Sequence, residues 1–424
     1  METFGESLRR WRGQTSIRAL AARAHCSKSH ICDLELGKRL PSRQTAAALD
    51  RALGAGGDLL AIAFADARRV IPWTSAGTRS VLNDVTKDAL VDRRAFFAQT
   101  GPVLAVLAGG WQALPPGPAL EQTAGRRVGA KTIAQIEARL PQLRALEDQL
   151  GGATVRHLVD AELRLVTHLL NEATYTDPQG RRLAGAASEL ARLAGWASCD
   201  AGYPAAAQRY WGAALHAAHS AGDPVLGANV LKNMTLQLLD VGRRTDALSV
   251  ADAALAAGQG GTARTRAMLA VRKARAHAAL GEHRECTAAL AEAGAHHAAG
   301  PQDNDPVWVR YFDDAEYCAQ VAMTFAELGA LAPADRYFAL ALDPHNGLAR
   351  GRDRATYLLR HAAVQADLGD LDQATAFAHD ALTHLEEAPS ARNGSRIAEV
   401  RTRLAVHRTD PAIEELDRQL AACA

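Results

Sequence analysis

Residues 16–43 read Ser-Ile-Arg-Ala-Leu-Ala-Ala-Arg-Ala-His-Cys-Ser-Lys-Ser-His-Ile-Cys-Asp-Leu-Glu-Leu-Gly-Lys-Arg-Leu-Pro-Ser-Arg, and they predict two short helices joined by a tight turn. Ser27 precedes a helical run and suits the N-cap, because its hydroxyl accepts a hydrogen bond from an otherwise unpaired backbone N–H. Ile31 and Leu34 lie three residues apart and share one buried face. Gly37 ends the second helix. Such a helix pair is typical of proteins that place one helix end in the major groove of DNA.

The side chains that remain on the outer face of the second predicted helix are polar. They are Lys28, Ser29, His30 and Asp33. A basic loop follows, and its Lys38, Arg39 and Arg43 lie within reach of a phosphate backbone. The segment therefore predicts a surface that binds double-stranded DNA.

The order and spacing of these residues resemble the helix-turn-helix of Cro/repressor-type (Xre-like) regulators over residues 4–71. The matching positions are Leu20, Ala21, Ser27, Ile31, Leu34, Glu35 and Gly37. The resemblance implies a five-helix domain in which residues just after the Ser27 position touch base edges. Carried over, Lys28 donates to guanine, Asp33 accepts from cytosine N4, and Ser29 suits either base. The residues that we expect to contact DNA are Arg18, Ser27, Lys28, Ser29, His30, Asp33, Lys38, Arg39 and Arg43.

The segment departs from the family pattern in two places. The connection from Arg12 to Ser16 is shorter than usual, and Ile17 stands where the family commonly has a Gln that braces the backbone. The family also pairs an Arg of the first helix with the Glu at the Glu35 position, and either Arg12 or Arg10 suits that role here. The alternative for the whole segment is a small helical module that no longer binds DNA and serves as a docking piece.

The composition favours closely packed helices in more than one domain. A chain of 424 residues is longer than one ordinary hydrophobic core accommodates. Its residues are 48% hydrophobic but only 5% aromatic, so the apolar residues are mostly Ala and Leu, which favour helices. The net charge of +1 is unevenly divided, because residues 1–71 hold 12 Lys or Arg against 7 Asp or Glu, a net +5, and the remainder holds a net −4. A basic first part suits DNA, since phosphate neutralisation supplies much of the affinity.

Several function classes are not expected from this sequence. It contains no Gly-rich phosphate loop, no nucleophile elbow and no HExxH motif, so we expect no enzyme and no cofactor. The six cysteines form no CxxC pair and no His/Cys cluster at zinc spacing, which argues against a metal site and favours a reducing cytoplasm. The segment 92–114 resembles a twin-arginine export signal, but it follows a predicted folded domain and is broken by Gly and Pro. We therefore expect a packed helix there and no membrane span.

A repeat runs through the rest of the chain, and its turn glycines reveal the period. They are Gly202, Gly242, Gly281, Gly329 and Gly369, separated by 40, 39, 48 and 40 residues. Small residues recur five positions after each glycine, at Ala207, Ala247, Cys286, Ala334 and Ala374. They recur again twelve positions after it, at Ala214, Ala254, Ala293, Ala341 and Ala381. This spacing predicts two-helix hairpins that bury their apolar faces by stacking on their neighbours.

The repeats resemble tetratricopeptide repeats, most clearly from Gly369 to Leu382, although the period near 40 is longer than that family's. We predict an all-α protein in which a five-helix helix-turn-helix domain precedes an α-solenoid of tetratricopeptide-like hairpins. The predicted boundaries are 1–71 for the DNA-binding domain, 72–130 for a Pro/Gly-containing helical connector, and 131–424 for a repeat domain that senses an effector and dimerises.

In tetratricopeptide proteins the first helix of each hairpin lines the concave groove. This resemblance projects the groove onto Glu189, Arg192, Trp196, Asn229, Lys232, Arg275, Glu316 and Met323. The amide of Asn229 is suited to bond the main chain of an extended peptide, and Lys232 nearby on the same helix is suited to a carboxylate. The alternative is that these are ordinary solvated polar residues on a helix face.

A helix-turn-helix followed by such repeats resembles the peptide-pheromone regulators of the Rgg–PlcR type, which are dimeric cytoplasmic transcription factors. The Ala-rich composition suggests an actinobacterial relative. The resemblance implies a homodimer that binds operator DNA and responds to a peptide, small-molecule or protein effector. The alternative is an interaction scaffold whose repeats bind a protein and whose first domain binds DNA without sequence preference or not at all.

Overall fold

The computed structural model describes most of the chain in two compact units. Described are residues 4–13, 15–37, 39, 41, 43–53, 55, 59, 71–87, 125–346, 351–387, 390–407 and 410–422. One unit lies within Met1–Ile71, and the other begins at Pro72 and continues to the end of the described chain. The predicted all-α class is confirmed, with a helix-turn-helix domain before a helical repeat region.

The first unit has four described helices around one apolar core. They are α1 (Phe4–Arg12), α2 (Ile17–Arg23), α3 (Lys28–Glu35) and α4 (Arg43–Leu53). The core contains the predicted inward residues and is built largely from Leu8, Leu20, Ala21, Ile31, Leu34 and Leu49. Ile17 packs against this core, which explains an apolar residue at that position. Helix α1 crosses α3 so closely that a Cβ added to Gly5 would lie 2.6 Å from the Leu34 carbonyl oxygen. The expected fifth helix falls after Leu53, largely outside the described residues.

The second unit opens with three helices and continues as helical pairs. The opening helices are α5 (Ser75–Lys87), α6 (Ala130–Leu150) and α7 (Gly152–Glu172). The strands β1 (Arg126–Arg127) and β2 (Ala173–Thr174) are two residues long and pair in parallel. The pairs that follow are α8 (Asp177–Asp200) with α9 (Pro204–Ala221), α10 (Pro224–Asp240) with α11 (Arg244–Ala257), α12 (Ala263–Leu280) with α13 (His283–His297), α14 (Asp314–Glu327) with α15 (Leu331–Leu342), α16 (Gly351–Leu368) with α17 (Leu371–Glu387), and α18 (Ala391–Leu404) with α19 (Pro411–Ala422). We call the first helix of each pair its A helix and the second its B helix.

The five turn glycines connect A helices to B helices, as the sequence predicts. Their φ angles are 82° at Gly202, 74° at Gly242, 75° at Gly281, 72° at Gly329 and 86° at Gly369. These angles lie in the left-handed region that favours glycine. The small residues five positions later are all fully buried, at Ala207, Ala247, Cys286, Ala334 and Ala374. Close packing also explains Gly195 on an A helix, because a Cβ there would lie 2.4 Å from the indole nitrogen of Trp211 on the B helix.

The repeat array returns on itself, because its first helices contact its last ones. Helix α6 packs against α16, and α8 packs against α18. Arg352 of α16 forms a buried ion pair with Glu147 of α6, and its Nη1 lies 3.5 Å from Asp200 Oδ2. Asp200 also accepts a hydrogen bond of 2.5 Å from the Ser390 hydroxyl just before α18. We call Glu147, Asp200, Arg352 and Ser390 the closure cluster.

The described parts of residues 72–130, which the sequence assigns to a connector, pack within the second unit. Helix α5 contacts α7 and α9. The Thr78 hydroxyl lies 2.7 Å from the Ser220 hydroxyl and donates to the His216 carbonyl oxygen at 3.1 Å. The Trp73 ring stacks on the His216 ring with centroids 4.0 Å apart. These contacts attach α5 to the first hairpin.

The segment 92–114, for which the sequence predicts a packed helix, lies outside the described residues, as does all of 88–124. Within the described chain, no helix has the length and apolarity that a membrane span requires.

Candidate nucleic-acid interface and internal cavity

The turn between α2 and α3 fixes where the candidate reading helix α3 begins. Ser16 caps α2 by accepting a hydrogen bond from the Ala19 amide at 3.1 Å. Ser27 caps α3 by accepting one from the His30 amide at 3.2 Å, as predicted. Between the caps, His25 adopts a left-handed backbone conformation with a φ of 52°, which is strained for a residue other than glycine. The two caps and this bend define a sharp start for α3.

The first turn of α3 is its accessible part. Ser27, Lys28 and Ser29 are exposed, and His30 is half-buried. Arg18, at the start of α2, is also exposed. Backbone N–H groups at a helix start and a nearby ammonium group both favour an approaching phosphate or base edge. These five predicted contact residues are thus accessible to a nucleic acid.

Asp33 and Arg39 form an ion pair that the sequence did not reveal. Arg39 Nε lies 3.5 Å from Asp33 Oδ2, and the Arg39 amide donates to the Asp33 carbonyl oxygen at 3.3 Å. The Asp33 carboxylate therefore meets a cytosine amino group only in competition with Arg39. Lys38 lies outside the described residues, and so does the side chain of Arg43, although α4 begins at that residue.

A partly buried ion pair joins α1 to α3. Arg12 donates to Glu35 Oε1 from Nε at 2.5 Å and to Oε2 from Nη2 at 3.3 Å. The hydrogen bond to this carboxylate raises the pKa of Arg12. Arg9 adds a hydrogen bond to the Glu35 carbonyl oxygen. Of the two candidates that the sequence leaves open, Arg12 is the partner of Glu35, whereas Arg10 donates to the Ser7 hydroxyl at 3.3 Å.

The second candidate site is a cavity of about 380 Å³ inside the repeat unit. Its walls come from α6, from the A helices and from the segment 307–311. The predicted groove residues that line it are Arg192, Trp196, Asn229, Lys232, Arg275, Glu316 and Met323. Glu189 is not part of the lining, but its carboxylate pairs with Arg144, which is. The structure therefore brings the predicted residues together around one space.

The polar side chains of this lining are buried. Asn229 and Lys232 are almost fully removed from solvent, and Lys232 Nζ donates to the Tyr311 hydroxyl at 2.7 Å. Burial lowers the pKa of Lys232 strongly, and the neighbouring charges of Arg192 and Arg272 lower it further. The alternative that the groove residues are solvated polar groups on an outer face is therefore wrong for these positions.

Sequence reasoning missed several lining residues. Arg272 carries a signal, since it lies three positions before a predicted groove residue on the same helix. Tyr311 carries another, because it lies in the added length that widens the third glycine spacing to 48 residues. Arg352 also lines the cavity, but no local pattern links it to Glu147, 205 residues earlier in the chain. Among the described residues, no group of His, Cys, Asp and Glu is arranged to hold a metal ion.

Comparison with known proteins bears on the first site. The family described as a helix-turn-helix domain matches residues 3–62. The chain carries a helix-turn-helix DNA-binding domain. The matched range contains α1 to α4 and every residue predicted to contact DNA. No curated protein and no solved structure matches the chain.

Proposed function

We propose that this chain is a cytoplasmic, homodimeric transcription regulator that reads specific DNA sequences with its first unit and binds an effector with its repeats. The observation that carries the proposal is the accessible first turn of α3, which presents Lys28, Ser29 and His30 within a helix-turn-helix domain. A helix end of this kind contacts base edges in the major groove. The tetratricopeptide-like repeats supply sensing and dimerisation, and neither unit is assigned a catalytic role.

Selection of DNA fragments from a random pool by the purified full chain, at near-physiological salt, tests this function. We expect enrichment of a palindromic motif whose half-sites are centred about 34 Å apart, one turn of the double helix, since a symmetric dimer presents two reading helices. A selection without enrichment, repeated with cell extract to supply any effector, would contradict sequence-specific reading and favour the scaffold.

A double variant, Lys28→Ala with His30→Ala, tests the role of α3 directly. We expect it to lose specific binding and to keep its thermal stability, because neither side chain belongs to the core of the first unit. The matched control is Lys131→Ala with His157→Ala, which removes the same residue types from exposed positions of the second unit and keeps DNA binding. Retained footprints in the α3 variant would refute the reading role. An affinity with no sequence preference and weak salt dependence would point to the scaffold.

A further inference from the structure

The charges that line the repeat cavity are not all paired. Lining arginines with carboxylate partners are Arg144 with Glu189, Arg275 with Glu327, Arg352 with Glu147, and Arg392 with Asp240. Of the lining cations that form no ion pair with any described residue, Arg192, Lys232 and Arg272 are the most deeply buried, whereas Arg310 and Arg360 are more exposed. The exposed fractions of Arg192, Lys232 and Arg272 are only 8%, 5% and 5%. We call these three residues the cation cluster.

The cation cluster is unfavourable for the fold by itself. Its members lie on the successive A helices α8, α10 and α12, so their positive charges repel one another across adjoining helix faces. Burial lowers the pKa of Arg272 to about 10 and the charge of Arg275 lowers it further, while the lining carboxylate of Glu316 offsets only part of this. Burying cations without partners destabilises a protein. Stability of the repeat unit therefore does not account for these side chains.

The cavity also contains hydrogen-bonding groups that no described atom satisfies. Buried donors without a partner include Arg192 Nε, Arg272 Nε, Arg272 Nη1 and Asn233 Nδ2, and also the Nε atoms of Arg275, Arg352, Arg360 and Arg392. Guanidinium groups match carboxylates and phosphates through paired N–H···O bonds. Two buried acceptors, Asn229 Oδ1 and Gln320 Oε1, are also without a partner and suit a hydroxyl group. Unpaired N–H donors therefore outnumber unpaired acceptors in the cavity, which favours a ligand with several negatively charged oxygen atoms.

From this geometry we infer that the cavity binds a small hydroxylated organic anion with at least two negative charges, either a phosphate ester or a polycarboxylate. Its anionic groups lie between α8, α10 and α12 and neutralise the cation cluster. The volume of about 380 Å³ falls within the range of about 300–1,000 Å³ that is usual for small-molecule sites. The binding itself stands independently, whereas the role of this anion as effector rests on the proposed function.

Titration of the full chain with pyrophosphate, and separately with citrate, tests the inference. Trp196 lines the cavity, with the Arg392 guanidinium 4.7 Å from its ring centre, so its fluorescence reports on a bound anion. We expect at least one of the two anions to give a saturable fluorescence change and a higher unfolding temperature, since a ligand that binds the folded state stabilises it. A response to pyrophosphate alone indicates that the natural ligand is a phosphate ester, and a response to citrate alone indicates a polycarboxylate. Responses no larger than those to sodium chloride at equal ionic strength overturn the inference.

Two single variants, Lys232→Met and Arg272→Met, separate a binding role from a structural one. Each removes a buried unpaired charge and keeps an apolar stem. The anion-free variants are therefore expected to unfold at the same temperature as the wild type or a higher one, while the affinity for the anion falls about tenfold for each lost charge-assisted bond. The control Arg284→Met removes an exposed arginine of α13 and keeps the wild-type response. Clearly lowered unfolding temperatures in both cluster variants, or unchanged affinities, overturn the inference.

DNA selection on the same preparation keeps the two proposals apart. A chain that binds the anion but selects no DNA sequence refutes the regulator and leaves the ligand class standing. A chain that selects an operator and ignores both anions refutes only the ligand class. Where both bind, we expect the anion to change the affinity for the operator, because an effector acts by binding two states unequally.

Discussion

The two units treat buried charge in opposite ways. In the first, the buried carboxylate of Glu35 is held by Arg12, so the ion pair fixes α1 against α3. In the second, Arg192, Lys232 and Arg272 are buried next to one another without a carboxylate partner among the described residues. A buried charge with a partner sets the position of helices, whereas a group of buried like charges marks a place for another molecule.

The largest expected effect comes from breaking a paired charge in the second unit. In the variant Arg352→Met, the buried carboxylates of Glu147 and Asp200 lose their guanidinium partner. We expect a loss of about 3–5 kcal/mol in the free energy of unfolding, the usual cost of leaving one side of a buried pair alone. Urea denaturation measures it.

The control for the variant Arg352→Met is a variant of an exposed arginine that also pairs with a carboxylate. Arg182 lies 2.5 Å from Glu137, and both side chains are well exposed. Because water screens such a pair, Arg182→Met is expected to change stability little. Equal effects of the two variants would show that the closure cluster does not hold the array together.

The next effect concerns His216, which the second unit keeps buried and neutral. Burial lowers its pKa to about 4 from an ordinary value of 6.5, with a further contribution from His219. As the pH falls from 6.5 to 4, the unfolded chain takes up a proton that the folded chain does not, so stability is lost over that window. At about 1.4 kcal/mol for each pH unit, the loss reaches about 3 kcal/mol.

The variant His216→Phe isolates this contribution. It keeps a ring to stack on Trp73 and has no proton to gain, so its stability is expected to fall less steeply than that of the wild type between pH 6.5 and 4. Urea denaturation at several pH values gives both slopes. Parallel slopes would show that His216 is not the group that titrates.

A smaller effect is expected from breaking the pair in the first unit. Arg12→Met leaves the Glu35 carboxylate with fewer donors at the α1–α3 contact and costs about 2 kcal/mol. Hydrogen exchange of the α1 and α3 amides measures the loss locally. Arg18→Met, on an exposed position of α2, is the control and leaves this protection unchanged. Equal protection in both variants would refute a stabilising role for the pair.

The smallest expected effect is an increase in the stability of the first unit. His25 holds a left-handed backbone conformation at a φ of 52°, so His25→Gly relieves strain and stabilises the first unit by about 1 kcal/mol. His30→Gly places the same residue inside α3 and is expected to destabilise by about the same amount. Thermal unfolding compares the two, and a shift in the same direction for both would exclude backbone strain at His25.

Local features of this chain were predictable from sequence, and distant pairings were not. The Ser27 cap and the turn glycines follow from spacing along one or two helices, and the groove residues such as Asn229 and Lys232 follow from the resemblance to tetratricopeptide repeats. Whether Arg12 or Arg10 pairs with Glu35 depends on the angle between α1 and α3, which the sequence does not reveal. The pairing of Arg352 with Glu147 depends on the curvature summed over the four hairpins between α6 and α16, which no single repeat encodes. Arg272 was within reach of helical periodicity, but its lack of a partner is visible only in three dimensions.

The closure cluster also restricts how this protein changes its length. An open solenoid gains or loses units freely, because each repeat contacts only its neighbours. Here a deleted or duplicated hairpin separates Arg352 from Glu147 and leaves both charges buried without a partner. Extra residues are therefore tolerated only where they leave the number of hairpins between α6 and α16 unchanged. The segment 298–313 between α13 and α14 is such an insertion, and it places Tyr311 in the cavity. Evolution of this repeat unit is therefore expected to proceed through inserted loops, with a constant number of repeats.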